Sequence, residues 1–188
     1  MFKYESFNDP IQRPRYTGLP TFMRSPYRED VDGVEVGLVG VPFDGGVTNR
    51  PGARHGPREI RNQSSLIRRL NQANGISPHD ICTVADVGDA WVQSPFNLET
   101  SLVEIAAFFQ DLHARGVVPV SAGGDHSVTL PILRGIAAAN PVGLIHFDAH
   151  CDTGDDYLGS KFHHGTPFRR AVEEELIDPQ RTIQIGIR

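Results

Sequence analysis

The sequence predicts an α/β protein built on a mostly parallel sheet with helices on both faces, a three-layer αβα arrangement. Three observations carry that prediction. Short apolar runs at 35–41, 81–87, 117–122, 142–147 and 182–187 alternate with stretches of helical periodicity. The first run places Val36, Leu38, Val39 and Val41 close together, as in a strand buried on both faces of a parallel sheet. Two of the later runs end in turns that carry His and Asp, at the carboxyl ends of strands where parallel α/β units gather functional groups. Crossovers between such strands are right-handed.

Residues 1–33 are rich in Pro, Arg and aromatics, with Pro10, Pro14, Pro20 and Pro26 and no sustained period. They read as an irregular arm lying along a surface or a partner subunit. Residues 34–188 form the α/β unit. After the first strand comes a glycine-rich, basic stretch, Phe43 to Pro57, without the GK[ST] ending or the GxGxxG spacing of phosphate loops. It reads as a loop at the mouth of a site, followed by a helix over about 57–70 with proline in its first turn. Asp86 and Asp89, near the end of the second strand, are weak site candidates that read first as structural. Asn97 then caps a helix on which Leu98, Leu102, Ile105, Phe109 and Leu112 recur every three or four residues until Gly116. A helix from His126 to about Ala139 follows the third strand, with Pro131 early enough to be tolerated. The fourth strand leads through a polar loop over 152–165 to a short helix over about 168–176 and a last strand at 182–187.

With 188 residues and 39 % hydrophobic content the chain fits a single domain with an ample core. A net charge of −5 argues against a nucleic-acid surface and suits cationic substrates or metals. Cys82 and Cys151 form no spacing motif, as in a reducing cytoplasm. The polar start M-F-K-Y-E-S-F lacks a signal-peptide core, and no apolar segment reaches the roughly twenty residues of a membrane span. The expectation is a soluble, cytoplasmic protein.

The chemistry concentrates in Leu144 to Asp152, L-I-H-F-D-A-H-C-D. Side chains alternate along an extended chain, so Asp148, His150 and Asp152 project to one side and can converge on one point. His126, opening the helix after the Gly123-Gly124 turn, arrives beside Asp148. An oxygen-rich set with imidazole and no thiolate suits manganese, iron, cobalt or zinc. Cys151 points to the opposite face on the same alternation and reads as a packing residue. His146 reads as out of phase with His150 and as a satisfied core histidine. His55, His79 and His113 belong to no cluster.

Gly123-Gly124-Asp125-His126-Ser127, Asp148-Ala149-His150-Cys151-Asp152 and His164-Gly165-Thr166-Pro167 together resemble the metal signatures and histidine loop of the ureohydrolase family, which includes arginase, agmatinase and guanidinobutyrase. The resemblance runs from about Val34 to Arg188. Arg50 to Pro57 and Ile185 to Arg188 are most similar to the agmatinase branch, and Cys151 stands where threonine is usual. The resemblance implies an arginase-like fold whose N-terminal part this chain represents. The family's second half carries an Asp-x-Asp pair and an acid that grips the guanidinium.

It further implies hydrolysis of a guanidino compound to urea and an amine by a hydroxide bridging two manganese ions. By resemblance His126, Asp148 and Asp152 hold one ion, while His150 and the bridging Asp148 belong to the other. Asp152 also orients the hydroxide, and His164 shuttles protons to the leaving amine. His163, Asp155, Asp156 and Lys161 are placed at the substrate entrance. Agmatine, giving putrescine, is the expected substrate, its cationic tail drawn by Asp155 or Asp156. Guanidinobutyrate or guanidinopropionate is the alternative, with a carboxylate that Lys161 or Arg54 would meet. The family pattern implies a homo-oligomer, trimer or hexamer. From another class, a short non-catalytic metal-binding or oligomer-interaction protein also fits, and deacetylase-type metal enzymes of similar fold stand further off.

Overall fold

β1 (Val36–Val41) is the most enclosed strand of the computed structural model, which describes residues 14–188. It lies between β2 (Val84–Asp89) and β3 (Val118–Gly123), parallel to both, with Val36 in register with Val84 and Val118. Its Val39 and Val41 are fully buried, as its uninterrupted apolar run predicts. β4 (Val142–Phe147) and β5 (Ile177–Ile185) form a second parallel pair. The helices are α1 (Gly56–Ser64), α2 (Leu98–Ala114), α3 (Thr129–Ala137), which a 3-10 turn at His126–Val128 introduces, and α4 (Pro167–Glu173).

α2 follows its sequence signals closely. The Asn97 side chain accepts from the Thr100 amide at 3.0 Å, and Leu102, Ile105, Phe109 and Leu112 are buried. α3 packs along α2 and also reaches the second apolar cluster, where its Leu130, Leu133 and Ala137 meet Phe168, Ala171, Leu176 and Ile177. One helix thus ties the β1 sheet to the β4–β5 pair, and with them the two strand ends that bear the site.

Several boundaries differ from expectation. α1 stops at Ser64 instead of near Leu70, because Leu66, Ile67 and Leu70 are exposed and gain little burial among the described residues to sustain a helix. β2 starts at Val84 because a 3-10 turn at Pro78–Asp80 precedes it and Ile81 is exposed. β5 begins earlier than expected, at Ile177, with a register irregularity opposite Val142 to Leu144. The strands lie in two parallel sheets, since β3 and β4 do not pair with each other. Val118 and Val120 on β3 and Ile145 and Phe147 on β4 are accordingly exposed, unlike the two-face burial of β1.

Part of the expected N-terminal arm, including Pro10, lies outside the described residues. Its described part runs along β2. Phe22 is buried and its amide donates to the Asp86 carboxylate at 2.9 Å, while Arg28 N donates to Asp86 O and Asp86 N to Pro26 O. Arg61 grips the same carboxylate through Nε (2.8 Å) and Nη2 (3.0 Å), reaches Asp89 Oδ1 at 2.6 Å, and lies over the Phe22 ring. Asp86 and Asp89 therefore hold the arm and α1 to the sheet. Among the described residues no helix is long and apolar enough to cross a membrane.

The loop after β1 is closed on the buried Asp44. Its carboxylate accepts from Gly52 N at 2.7 Å, from Arg54 N at 3.3 Å and from Arg54 Nε at 2.5 Å. Hydrogen bonding to Arg54 holds the Asp44 pKa at about 2, below its ordinary 3.8. A folded pKa below the unfolded one stabilises the fold above pH 4, and that stabilisation is lost as pH falls through about 2. Allowing for solvent around the half-exposed Arg54 side chain, the contribution is about 1–2 kcal/mol. Asp44→Asn is expected to lose that amount at pH 7, and urea unfolding of the two proteins should converge between pH 4 and pH 2. An equal difference at both ends of that range refutes the assignment.

Candidate metal centre

Two strand ends supply the site. At the end of β3 the chain turns at Gly124 (φ +61°), where a Cβ would come within 2.4 Å of Phe43 O and 2.5 Å of Val41 O. Glycine is required there by both conformation and space. Asp125 N then donates to Phe43 O at 2.9 Å, and the Asp125 carboxylate caps the 3-10 turn by accepting from Ser127 N at 2.6 Å. His126, first in that turn, is thereby aimed across toward the end of β4.

β4 supplies His146, and the residue just after it is Asp148. His126 Nδ1 lies 2.5 Å from Asp152 Oδ2 and 3.6 Å from Asp148 Oδ2, and His146 Nε2 lies 3.4 Å from the same Asp148 oxygen. His126, His146 and Asp148 present donor atoms within 4.8 Å of one another. The buried ring of Phe168 backs both imidazoles, with centroids 5.4 Å from His126 and 4.4 Å from His146. The backbone amide of His150 donates to Asp148 Oδ1 at 2.9 Å. That bond, with the nearby His126, keeps the Asp148 carboxyl below the usual carboxylate range against its desolvation. Two carboxylates therefore converge on one imidazole, a donor set that fits a divalent cation.

His146 lies closer to the site than expected, and the side chain of His150 is more exposed. Strict alternation fails because β4 ends at Phe147 and Asp152 adopts φ +49°, so the chain beyond Asp148 is no longer extended. The His150 side chain is 65 % exposed, with Nδ1 3.8 Å from Asp148 Oδ1 and Nε2 3.5 Å from Arg188 Nη2. Cys151, expected to pack, is exposed for the same reason. Its sulfur accepts from Thr153 Oγ1 at 3.2 Å, which draws the thiol pKa down. His146 is buried and faces the site, since it precedes Asp148 by two residues on a true strand.

The role of His146 follows from its neighbour. The Gln184 amide nitrogen donates to Cys151 O at 2.7 Å and sits 3.0 Å from His146 Nδ1. The carbonyl fixes the amide orientation, so Nδ1 accepts and Nε2 carries the proton of the neutral ring. A neutral His146 ring of this tautomer turns its N–H toward Asp148 Oδ2, 3.4 Å away. Sequence reasoning missed His146 and Gln184. The period of two before Asp148 was the signal for His146, whereas Gln184 lies on a neighbouring strand and gave none.

His164 is placed by loop contacts. Its backbone amide and its Nδ1 both lie 3.0 Å from Gly46 O, in the loop after β1. The loop after β1 is thereby tied to the loop that carries His164.

Residues 34–188 match the model of the arginase family. The chain belongs to the arginase family. It is 55 % identical over 181 residues to a guanidinopropionase of Pseudomonas aeruginosa, covering 96 % of this chain and 57 % of that protein. It is 49 % identical over 179 residues to a mitochondrial agmatinase of Gallus gallus, covering 95 % and 52 % respectively. Among solved structures, the proclavaminate amidino hydrolase of Streptomyces clavuligerus superposes with a TM-score of 0.89 at 40 % identity, covering 94 % of this chain and 58 % of that one. The chain thus spans about half the length of the relatives it matches.

In this arginase-family chain the residues expected at the entrance are mostly engaged. Asp155 is held by Arg170 at 2.9 Å and Arg169 at 3.3 Å, and Arg170 draws its carboxyl below the usual range. Asp156 accepts from Gly159 N at 3.0 Å. His163 Nδ1 accepts from Gly165 N at 3.1 Å, and its ring lies between those of Tyr157 and His164, at 5.7 and 5.8 Å. Burial and the neighbouring His164 push the His163 pKa down. Lys161 is exposed. Arg54, weighed as a partner for a substrate carboxylate, is committed to Asp44.

Proposed function

We propose that this chain provides the metal-holding part of a hydrolase that splits a linear guanidino compound into urea and an amine. The observation that carries the reading is that the Asp148 and Asp152 carboxylates both approach the His126 imidazole just beyond the carboxyl ends of β3 and β4. In this reading His126, Asp148 and Asp152 hold one ion, and His150 shares Asp148 toward a second. Manganese is the ion proposed, given oxygen-rich donors with imidazole and no thiolate. Such ions, when bound, make water a strong nucleophile at neutral pH, which a guanidinium carbon demands because it is a poor electrophile.

The chain's own groups divide the remaining work. Asp148, oriented by His146 and by the His150 amide, supplies charge to the centre. Asp152, whose Oδ2 lies 2.5 Å from His126 Nδ1, offers a second carboxylate to the same ion. The reaction forms one C–O bond, breaks one C–N bond and requires a proton on the departing nitrogen. His164 delivers it. A homo-oligomeric assembly belongs to the same proposal.

For the substrate, the engagement of Asp155 by two arginines removes one of the two acids expected to draw an ammonium tail, leaving Asp156. Lys161 is the entrance charge without a hydrogen-bonded partner among the described residues. Both points, with the 55 % identity to a guanidinopropionase, favour a guanidino acid over agmatine. The 49 % identity to an agmatinase keeps agmatine as the second reading. The test measures manganese-dependent urea release from 3-guanidinopropionate, 4-guanidinobutyrate and agmatine under one set of conditions. Higher kcat/KM for an acid is the expected result, and a preference for agmatine reverses the order of the two readings. Tight metal binding with no urea from any of them supports the non-catalytic metal-binding alternative instead.

A further inference from the structure

We propose that Asp125 and the Gly46 peptide form a positioning link that holds the His164 imidazole as its Nδ1–H tautomer, a role that rests on the hydrolase reading above. Both oxygens of the buried Asp125 carboxylate are used: Oδ1 accepts from Ser127 N at 2.6 Å and Oδ2 from Gly46 N at 2.9 Å. The Gly46 amide is therefore pinned to the turn that carries His126. On its other side the Gly46 carbonyl faces the backbone amide and the Nδ1 of His164, each at 3.0 Å.

A carbonyl oxygen only accepts, so His164 Nδ1 must bear the hydrogen. In the neutral ring Nε2 then keeps the lone pair. It is the nitrogen left to take up and return a proton, and the second ring nitrogen sets its availability. Nδ1 has one fixed partner, so a tautomer change would place two lone pairs against each other at Gly46.

Space makes the link specific to glycine. A Cβ on Gly46 would lie 2.6 Å from Ser127 Oγ, 2.7 Å from Ser127 Cβ and 3.0 Å from Asp125 Oδ1. Any side chain there forces the loop away from the turn and withdraws the carbonyl from His164. Asp125→Asn acts from the other end. Its amide retains one acceptor oxygen, and its NH2 meets an N–H donor at Ser127 or Gly46. Asp125 and Gly46 touch no substrate in this account and are positioning residues.

The test reads the tautomer directly. Nitrogen-15 spectra of histidine side chains are recorded for the chain, metal-free and loaded with diamagnetic zinc, and the His164 signals are those absent from His164→Asn. The expected result is a protonated Nδ1 and an unprotonated Nε2 in the neutral ring of the natural sequence. Gly46→Ala and Asp125→Asn should each give a mixture containing the Nε2–H form. In Gly46→Ala turnover should fall about 10–100-fold, as for loss of an orienting partner, with KM and metal content little changed. An Nε2–H ring in the natural sequence overturns the proposal even if a variant fails to fold. So does an unchanged Nδ1–H ring in both variants. A chain that shows the tautomer and its loss on substitution but hydrolyses no guanidino compound counts against the hydrolase reading and not against the Gly46 link.

Discussion

Asp148→Ala is expected to abolish tight divalent-ion binding, and with it any urea release. The carboxylate is the group on which the site converges: His126 Nδ1 lies 3.6 Å from one of its oxygens, His146 Nε2 lies 3.4 Å from that same oxygen, and the His150 amide donates to the other. In the proposed assignment it also serves both ions, so its removal takes a ligand from each. The affinity loss should exceed the ~10–100-fold that removal of an outer partner costs. His146→Ala sets that lower scale, because His146 orients Asp148 and in this assignment is not itself a ligand. His126→Ala should weaken chiefly one ion. Manganese titration by calorimetry and metal analysis after dialysis rank the three variants. An Asp148→Ala protein that retains two tightly bound ions overturns the assignment, and a His146→Ala loss as deep as that of His126→Ala makes His146 a ligand.

The fold was legible wherever the determining contacts are local or repeat along one element. α2 could be placed from the spacing of Leu102, Ile105, Phe109 and Leu112, and its start from the one cap at Asn97. The five strands could be placed from their apolar runs, and His126, Asp148 and Asp152 from their positions at strand ends. What sequence could not supply was the neighbour across space. α1 ends early because Leu66, Ile67 and Leu70 find little to pack on among the described residues, which depends on the rest of the fold. The alternation argument for His150 assumed an extended chain to Asp152, and the positive φ of Asp152 ends that assumption. The same turn brings the Asp152 carboxylate to His126, a proximity that the alternation argument does not account for. Asp155 looked free to meet a substrate because its partners Arg169 and Arg170 lie many residues away on α4.

His164→Ala is expected to leave metal affinity unchanged while lowering turnover by about 10²–10⁴-fold, the range that a positioned general acid or base contributes. The separation of the two effects follows from where the side chain is held. His164 is fixed by the loop after β1 through Gly46 O, whereas the ion-holding set is fixed by the ends of β3 and β4, so removing one imidazole leaves the other group intact. An amine leaving a tetrahedral carbon as an anion is strongly disfavoured at neutral pH, which is why loss of the donor falls on turnover. KM should change little, since the imidazole is asked to move a proton and not to bind the guanidinium tail. Added imidazole should restore part of the lost rate in His164→Ala, because the vacated space admits a ring of the same size and basicity, and should do nothing for Asp148→Ala. Unaltered turnover in His164→Ala across the pH range would make His164 a packing residue of the loop. A parallel loss of metal would instead place it among the ligands, and either result would require the proton for the departing amine to come from another group.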